Sequence, residues 1–202
     1  MNILPELVFA TNNAHKLREV KAILNGLALV KSLADHNIRT EIPEDGDTLE
    51  ENARQKAWFI YSRYGLDCFA DDTGLEVDAL GGRPGVYSAR YAGEGCSHSD
   101  NVKKLLHEMQ GITNRRARFR TVVALVIAGR EYLFEGRVEG HILNSEAGSG
   151  GFGYDPLFVP DGYDLTFAQM DETLKNAISH RGEAMRKMAE FLKVYDLLKN
   201  AP

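Results

Sequence analysis

Apolar and polar positions along this chain follow two alternating periods. Leu7 to Ala10 is an unbroken apolar run of strand length, and it ends in Thr11-Asn12-Asn13, good turn and cap formers. Leu17, Val20, Leu24 and Leu27 then recur every three or four residues, which predicts a helix stopped at Gly26. Ala28 to Leu33 reads as a second strand. Thr48-Leu49-Glu50-Glu51 has the form of a capping box. It opens a helix with the apolar stripe Leu49, Ala53, Ala57, Ile60 and Tyr64, closed by Gly65. Cys68 to Ala70 reads as a brief strand running into the polar Asp71-Asp72-Thr73-Gly74.

The second half mixes the same periods. Asp100 to Met109 is helical in pattern. Ala117 to Ala128 and Tyr132 to Val138 are β-branched and aromatic, and they meet across Gly129-Arg130 as a hairpin. A glycine-rich loop leads to the strand Leu157-Phe158-Val159, and a further loop runs to about Glu172. A final helix from about Gly182 to Lys199 carries Met185, Met188, Leu192, Tyr195 and Leu198 on one face. Strands interleaved with helices, plus a long hairpin, predict an α/β fold with a mixed sheet. No repeat or linker interrupts the 202 residues, which read as one domain.

Composition narrows the possibilities. The longest apolar run, Val122 to Ala128, has seven residues, far below the ~20 needed to span a bilayer. The first basic residue is Lys16, and Pro5 and Glu6 precede it, so the N-terminus does not read as a secretory signal. Cys68 and Cys96 are the two cysteines, too far apart for a Cys-x-x-Cys clip, so a reducing, cytoplasmic compartment is expected. With 24 basic against 29 acidic residues and a net charge of −5, a nucleic-acid or membrane partner is not expected. One small polyanion in a locally basic pocket is compatible with that balance.

Four segments have the wrong polarity for a core and the right chemistry for a phosphate ester. Thr11-Asn12-Asn13-Ala14-His15-Lys16 joins a strand to a helix N-terminus, a place where backbone N–H groups and the dipole attract anions. Five of the eight residues from Glu44 to Glu51 are acidic. The helix dipole explains Glu50 and Glu51 but not Glu44 and Asp45, which are candidate ligands for a hard cation such as Mg²⁺. Asp71-Asp72 is expected at the C-terminal end of its strand. There one acid can hold Mg²⁺ while the other orients or deprotonates water, their pKa values driven apart by like charge.

The fourth segment, Gly148 to Pro156, satisfies G-x-G-x-x-G, but a strand follows it instead of a helix, so it is not a dinucleotide-binding turn. It reads instead as a flexible loop presenting Phe152 and Tyr154 to a flat ring, with Asp155 as acceptor. Lys175 with Ser179-His180-Arg181 adds three cationic donors, and Lys56 lies on the capped helix. A P-loop, zinc-ligand spacing and a G-x-S-x-G elbow are all absent from the sequence.

Taken together, the segments TNNAHK (11–16), EDGDTLEENA (44–53), ADDTGLEVDALGGRPGVYSARYAG (70–93), GGFGYDP (150–156) and AISHRG (177–182) resemble the Ham1/RdgB-like nucleotide pyrophosphatases, also called inosine triphosphate pyrophosphatases or XTP/dITP diphosphatases. The resemblance implies an elongated mixed-sheet α/β fold with two lobes flanking a nucleotide-binding cleft, and a homodimer. It also implies Mg²⁺-dependent hydrolysis of ITP, dITP and XTP to the monophosphate and pyrophosphate. By the same resemblance, Thr11, Asn13, Lys16 and Lys56 grip the phosphates, and Asn12, Ala14 and His15 belong to the substrate-binding set. Glu44 and Asp72 bind the metal, Asp72 is the proton acceptor and Asp71 supports it. Thr73 is a substrate contact, and Phe152, Gly153, Tyr154, Asp155, Lys175, His180 and Arg181 recognise the base.

A pocket donating to a 6-oxo group, with Lys175 and Arg181 as donors, rejects a 6-amino purine. The 2-amino group of GTP is nearly the size of the 2-oxo group of XTP, so its exclusion is expected to rest on a missing acceptor, not on sterics. Two other readings fit the same residues: a pyrophosphatase for other modified nucleotides, and a non-catalytic nucleotide-binding regulator.

Overall fold

The computed structural model describes residues 4–199, with side chains described as far as Tyr195. The order of elements is β1 (Glu6–Phe9), α1 (Ala14–Ile23), β2 (Leu29–Ser32), α2 (Leu49–Tyr64), β3 (Cys68–Val77), β4 (Pro84–Gly85), α3 (His98–Glu108), β5 (Arg116–Ile127), β6 (Arg130–Ile142), β7 (Phe158–Pro160), α4 (Glu172–Ile178) and α5 (His180–Lys199). The sheet runs β2-β1-β3-β5-β6-β7, with β4 on β3. It is mixed: β1 is parallel to β2 and β3, while β3/β4 and β6/β7 are antiparallel.

Local sequence explains most of these elements. Thr48 caps α2 by accepting from the Glu51 N–H while Glu51 reaches back to the cap, and Gly65 ends the helix with φ of 63°. Ser97 and Asp100 make the same box at α3. Ala128 and Gly129, at φ of 48° and 73°, form the two-residue turn between β5 and β6, with the positive φ values that hairpin turns need.

The chain forms two compact units. The first takes residues up to Asp72, Thr121–Gly136 and Arg181 onward; the second takes Thr73–Arg120 and Arg137–His180. In the first, Leu7 and Phe9 of β1, Val20 and Leu24 of α1, Phe69 of β3 and Val123 and Leu125 of β5 pack with Met185, Met188 and Leu192 of α5. Phe9 and Phe69 are register partners and stack at 4.7 Å. In the second, Leu75, Val77, Val102, Leu105, Phe119, Phe158 and Phe167 form the core.

The structure departs from the sequence-based expectation at β3, in the loop before the last helix and at Tyr64. β3 does not stop at Ala70 but continues to Val77, so Asp71-Asp72 lies within a strand and not at its end. Pairing with β1 occupies Cys68 and Phe69, pairing with β4 occupies Leu75 and Glu76, and Asp71 to Gly74 fall between the two registers. Sheet pairing on both sides carries the strand through a polar stretch that by composition favours a turn. The loop placed before the last helix contains α4, capped by Asp171, whose Oδ1 accepts from the Leu174 N–H at 2.8 Å. Tyr64, read into the α2 stripe, is 41% exposed. Leu198, read onto the α5 face, lies outside the described side chains.

Burial fixes the chemistry of the two thiols. Cys68 is buried, its Sγ donating to the Ala57 carbonyl at 3.2 Å, and burial pushes its pKa up to about 12. Cys96 is half-buried. At pH 8 a disulfide reagent such as DTNB is therefore expected to titrate Cys96 in the native protein and Cys68 only on unfolding, because the thiolate is the reactive form. Two equally fast thiols would contradict this packing.

Candidate active site

The acidic and basic residues picked out in the first unit converge. Asp71 is fully buried and bridges two cations: Lys16 Nζ donates to its Oδ1 at 3.0 Å and Arg181 Nε to its Oδ2 at 2.9 Å. Arg181 in turn reaches Glu19 through Nη1 at 2.5 Å. Burial alone would raise the Asp71 pKa, but the charges of Lys16 and Arg181 overcome it and hold the carboxyl well below the usual carboxylate range. Burial lowers the Arg181 pKa, and Asp71 and Glu19 more than reverse this.

Asp72 faces a different set. Its Oδ1 accepts from Lys56 Nζ at 3.3 Å and its Oδ2 from Asn52 Nδ2 at 3.1 Å. Lys56 Nζ also donates to Glu44 Oε1, so one ammonium joins the two acids expected to hold metal. Burial raises the Asp72 pKa, and Lys56 and Lys16 only partly offset it. The neighbouring acids thus differ as expected, but burial is the main cause of the upward shift. Asp72 keeps 11% of its side-chain surface open, against none for Asp71.

This donor set fits Mg²⁺. Glu44 and Asp72 offer hard oxygen atoms from two different segments, which is the chemistry a hard divalent ion selects. Among the described residues no cluster of three or more His, Cys, Asp or Glu could hold a metal by itself. Two carboxylates completed by water and substrate phosphate is an ordinary Mg²⁺ arrangement.

At the start of α1, Asn13 is the N-cap: its Oδ1 accepts from the His15 and Lys16 N–H groups at 2.9 and 3.2 Å, and Thr11 Oγ1 accepts from the Asn13 N–H at 3.1 Å. Two N–H groups expected to be open to an anion are therefore taken by the cap. The Thr11 hydroxyl hydrogen and the Asn13 amide hydrogens are the donor ends of these same side chains. Thr11, Asn12, Asn13 and Ala14 line a cavity of about 480 Å³ together with Leu33, Ile38 and Arg39. His15 is exposed, its Nδ1 at 2.8 Å from Arg18.

In the second unit, Asp155 is the organising group. Its Oδ2 accepts from Lys175 Nζ and from the Phe152 N–H, each at 2.8 Å. Gly151, at φ of 68°, lets the loop close, since a Cβ there would lie 2.1 Å from Asp155 Oδ2. Lys175 Nζ sits 5.0 Å from the centre of the Phe152 ring, a cation–π distance. Gly153 donates its N–H to His98 Nδ1 at 3.4 Å. Thr73, on β3, is half-buried.

One expectation changes here. Tyr154 is not presented to a ligand ring: it is 4% exposed, packed in the core, with its hydroxyl donating to the Ser88 carbonyl at 2.9 Å. Each of the three downstream cations has a neighbour in its own unit. Lys175 pairs with Asp155, His180 stacks on Phe119 at 4.6 Å, and Arg181 holds Asp71.

Sequence reading missed Asn52, Glu19 and His98. Asn52 carried a signal, since it lies three residues after Leu49 on the apolar stripe of α2, where a polar residue needs a buried partner. Glu19 and His98 gave none.

A sequence profile of the Ham1 family matches residues 7–191. A protein of Porphyromonas gingivalis named dITP/XTP pyrophosphatase is 51% identical over 190 residues, covering 94% of this chain and 98% of that one. Among solved structures, the Ham1 protein of Staphylococcus aureus superposes with a TM-score of 0.85 at 38% identity, covering 94% of this chain and 99% of that one. A nucleoside-triphosphatase, dITP/XTP pyrophosphatase, of Mycobacterium abscessus gives a TM-score of 0.73 at 40% identity, over 91% and 98%.

The two aspartates are separable by experiment. Asp71→Ala leaves Lys16 and Arg181 without their shared partner, and loss of one side of a buried ion pair costs about 3–5 kcal/mol. Urea unfolding of Asp71→Ala is expected to show a loss of that size, and one under 1 kcal/mol would contradict the clamp.

Proposed function

Because the chain belongs to the Ham1 family, we propose that it hydrolyses non-canonical purine nucleoside triphosphates (ITP, dITP and XTP) to the nucleoside monophosphate and pyrophosphate, with Mg²⁺. The observation that carries this reading is the joining of Glu44 and Asp72 on Lys56, beside an aspartate already committed to two cations. Relatives named dITP/XTP pyrophosphatase at 51% and 50% identity support the substrate class.

Each residue set is assigned its part of the substrate by its own chemistry. Lys16 and Lys56, with the Thr11–Asn13 loop, meet the charge of the triphosphate. Glu44 and Asp72 are the residues that would hold Mg²⁺, which supplies neutralisation of phosphate charge when bound. Asp71 is assigned a supporting part, since both its oxygens are held by Lys16 and Arg181 and its side chain is fully buried. Asp72, whose affinity for a proton is raised by burial, is the acid able to accept one from water attacking the α-phosphorus. The second unit, by itself, holds the Phe152 ring, a flat face, and the Lys175 ammonium anchored by Asp155, a donor of the kind a 6-oxo group accepts.

An end-product assay with ITP, dITP, XTP, GTP and ATP, with and without Mg²⁺, tests this reading. Metal-dependent pyrophosphate release from the first three is expected, with ATP and GTP poor substrates. Asp72→Asn is expected to fold and to lose turnover by orders of magnitude. Release of orthophosphate, equal turnover of ATP, or a near wild-type rate in Asp72→Asn would each overturn the corresponding part.

A further inference from the structure

Between Glu44 and α2 the acidic loop has no secondary structure of its own, yet four consecutive N–H groups are captured by α2 side chains. Gln55 Oε1 accepts from Asp45 at 2.9 Å, Asn52 Oδ1 from Gly46 at 2.8 Å, and Glu51 Oε2 from Asp47 and Thr48 at 2.8 and 3.1 Å. Asn52 differs from the other two because its amide is shared. While the carbonyl end holds Gly46, the Nδ2 end donates to Asp72 Oδ2 at 3.1 Å. The orientation of that amide is dictated by its partners, since an N–H needs the oxygen and a carboxylate needs the NH₂. Asn52 is 1% exposed. Gly46 fits tightly over it: a Cβ would come within 2.6 Å of Glu51 Cβ and 2.9 Å of Asn52 Oδ1.

We propose that Asn52 is a positioning residue for the reaction, setting the loop that carries Glu44 in register with Asp72. The proposal rests on the reading of Glu44 and Asp72 as the acids acting at the triphosphate. Lys56 attracts both carboxylates, but a flexible ammonium on a long side chain does not fix a distance between them. The short, planar Asn52 amide does, because it grips the loop backbone two residues from Glu44 at one end and Asp72 at the other. Carboxylates that hold a metal are commonly oriented in this way by groups that never touch the ion.

The test compares the full-length wild-type protein with Asn52→Ala and with Gly46→Ala, which disturbs the same contact from the loop side without opening the core. Four quantities are read: kcat and KM for dITP, the Mg²⁺ concentration at half-activation, thermal midpoint, and hydrogen exchange of the 45–48 amides against the 68–70 amides of β3. Both variants are expected to lose about 10- to 100-fold in kcat and to need more Mg²⁺ by a similar factor. KM for dITP is expected to stay within about threefold, and exchange to quicken at 45–48 but not at 68–70. Faster loop exchange with unchanged kcat and Mg²⁺ requirement would overturn the proposal, as would a kcat loss matched by faster exchange in β3. If the wild type releases no pyrophosphate from dITP, the reading in the preceding subsection fails instead. The exchange of the 45–48 amides in Asn52→Ala then decides alone, and unchanged exchange would overturn the tie.

Discussion

Two adjacent carboxylates buried inside one strand impose the constraint that the rest of the site answers. Burial deprives both Asp71 and Asp72 of most of their hydration, so each needs partners brought from elsewhere in the chain. Asp71 takes Lys16 from α1 and Arg181 from α5, and Asp72 takes Lys56 and Asn52 from α2. One strand therefore makes charge contacts with three helices. The alternation of side chains along a strand sends the neighbouring acids to opposite faces, which is why they meet different partners. Asp71 becomes a fixed anion, while Asp72 stays partly open and is disposed to gain a proton.

Helix α2 serves this arrangement in two ways. Its apolar residues Leu49, Ala53, Ala57 and Ile60 are buried, fixing where the helix lies. Its polar residues Glu51, Asn52, Gln55 and Lys56 then hold the acidic loop and Asp72. The capping box is part of the same device, because Glu51 binds the loop amides that the cap leaves over. A feature legible as helix stability thus also presents Glu44.

The second unit uses the opposite economy of charge. A single carboxylate, Asp155, organises Lys175 and the backbone of Phe152, and Gly151 is required for the closure. Tyr154 and His180, polar by type, are both buried: one is in the core with its hydroxyl satisfied, and the other is stacked on Phe119.

Much of this was legible in the residues alone. The caps at Thr48 and Asn13, the stop at Gly65 and the hairpin turn at Gly129 depend on neighbours a few residues away, and local sequence contains those neighbours. The resemblance of five ordered segments to one family was legible for the same reason, since each segment is short and contiguous. What local pattern does not contain is pairing over long separations. β3 runs on through Asp71-Asp72 because it is paired with β1, β4 and β5 in the sheet, and no propensity of Asp-Asp-Thr-Gly announces that. Arg181 reads as a base contact beside His180, but 110 residues separate it from the Asp71 carboxylate it holds. Sequence by itself determined the caps, the stripes and the family; only the tertiary structure decided which acid is bound by which cation, because burial and Coulomb attraction act between groups the chain order keeps apart.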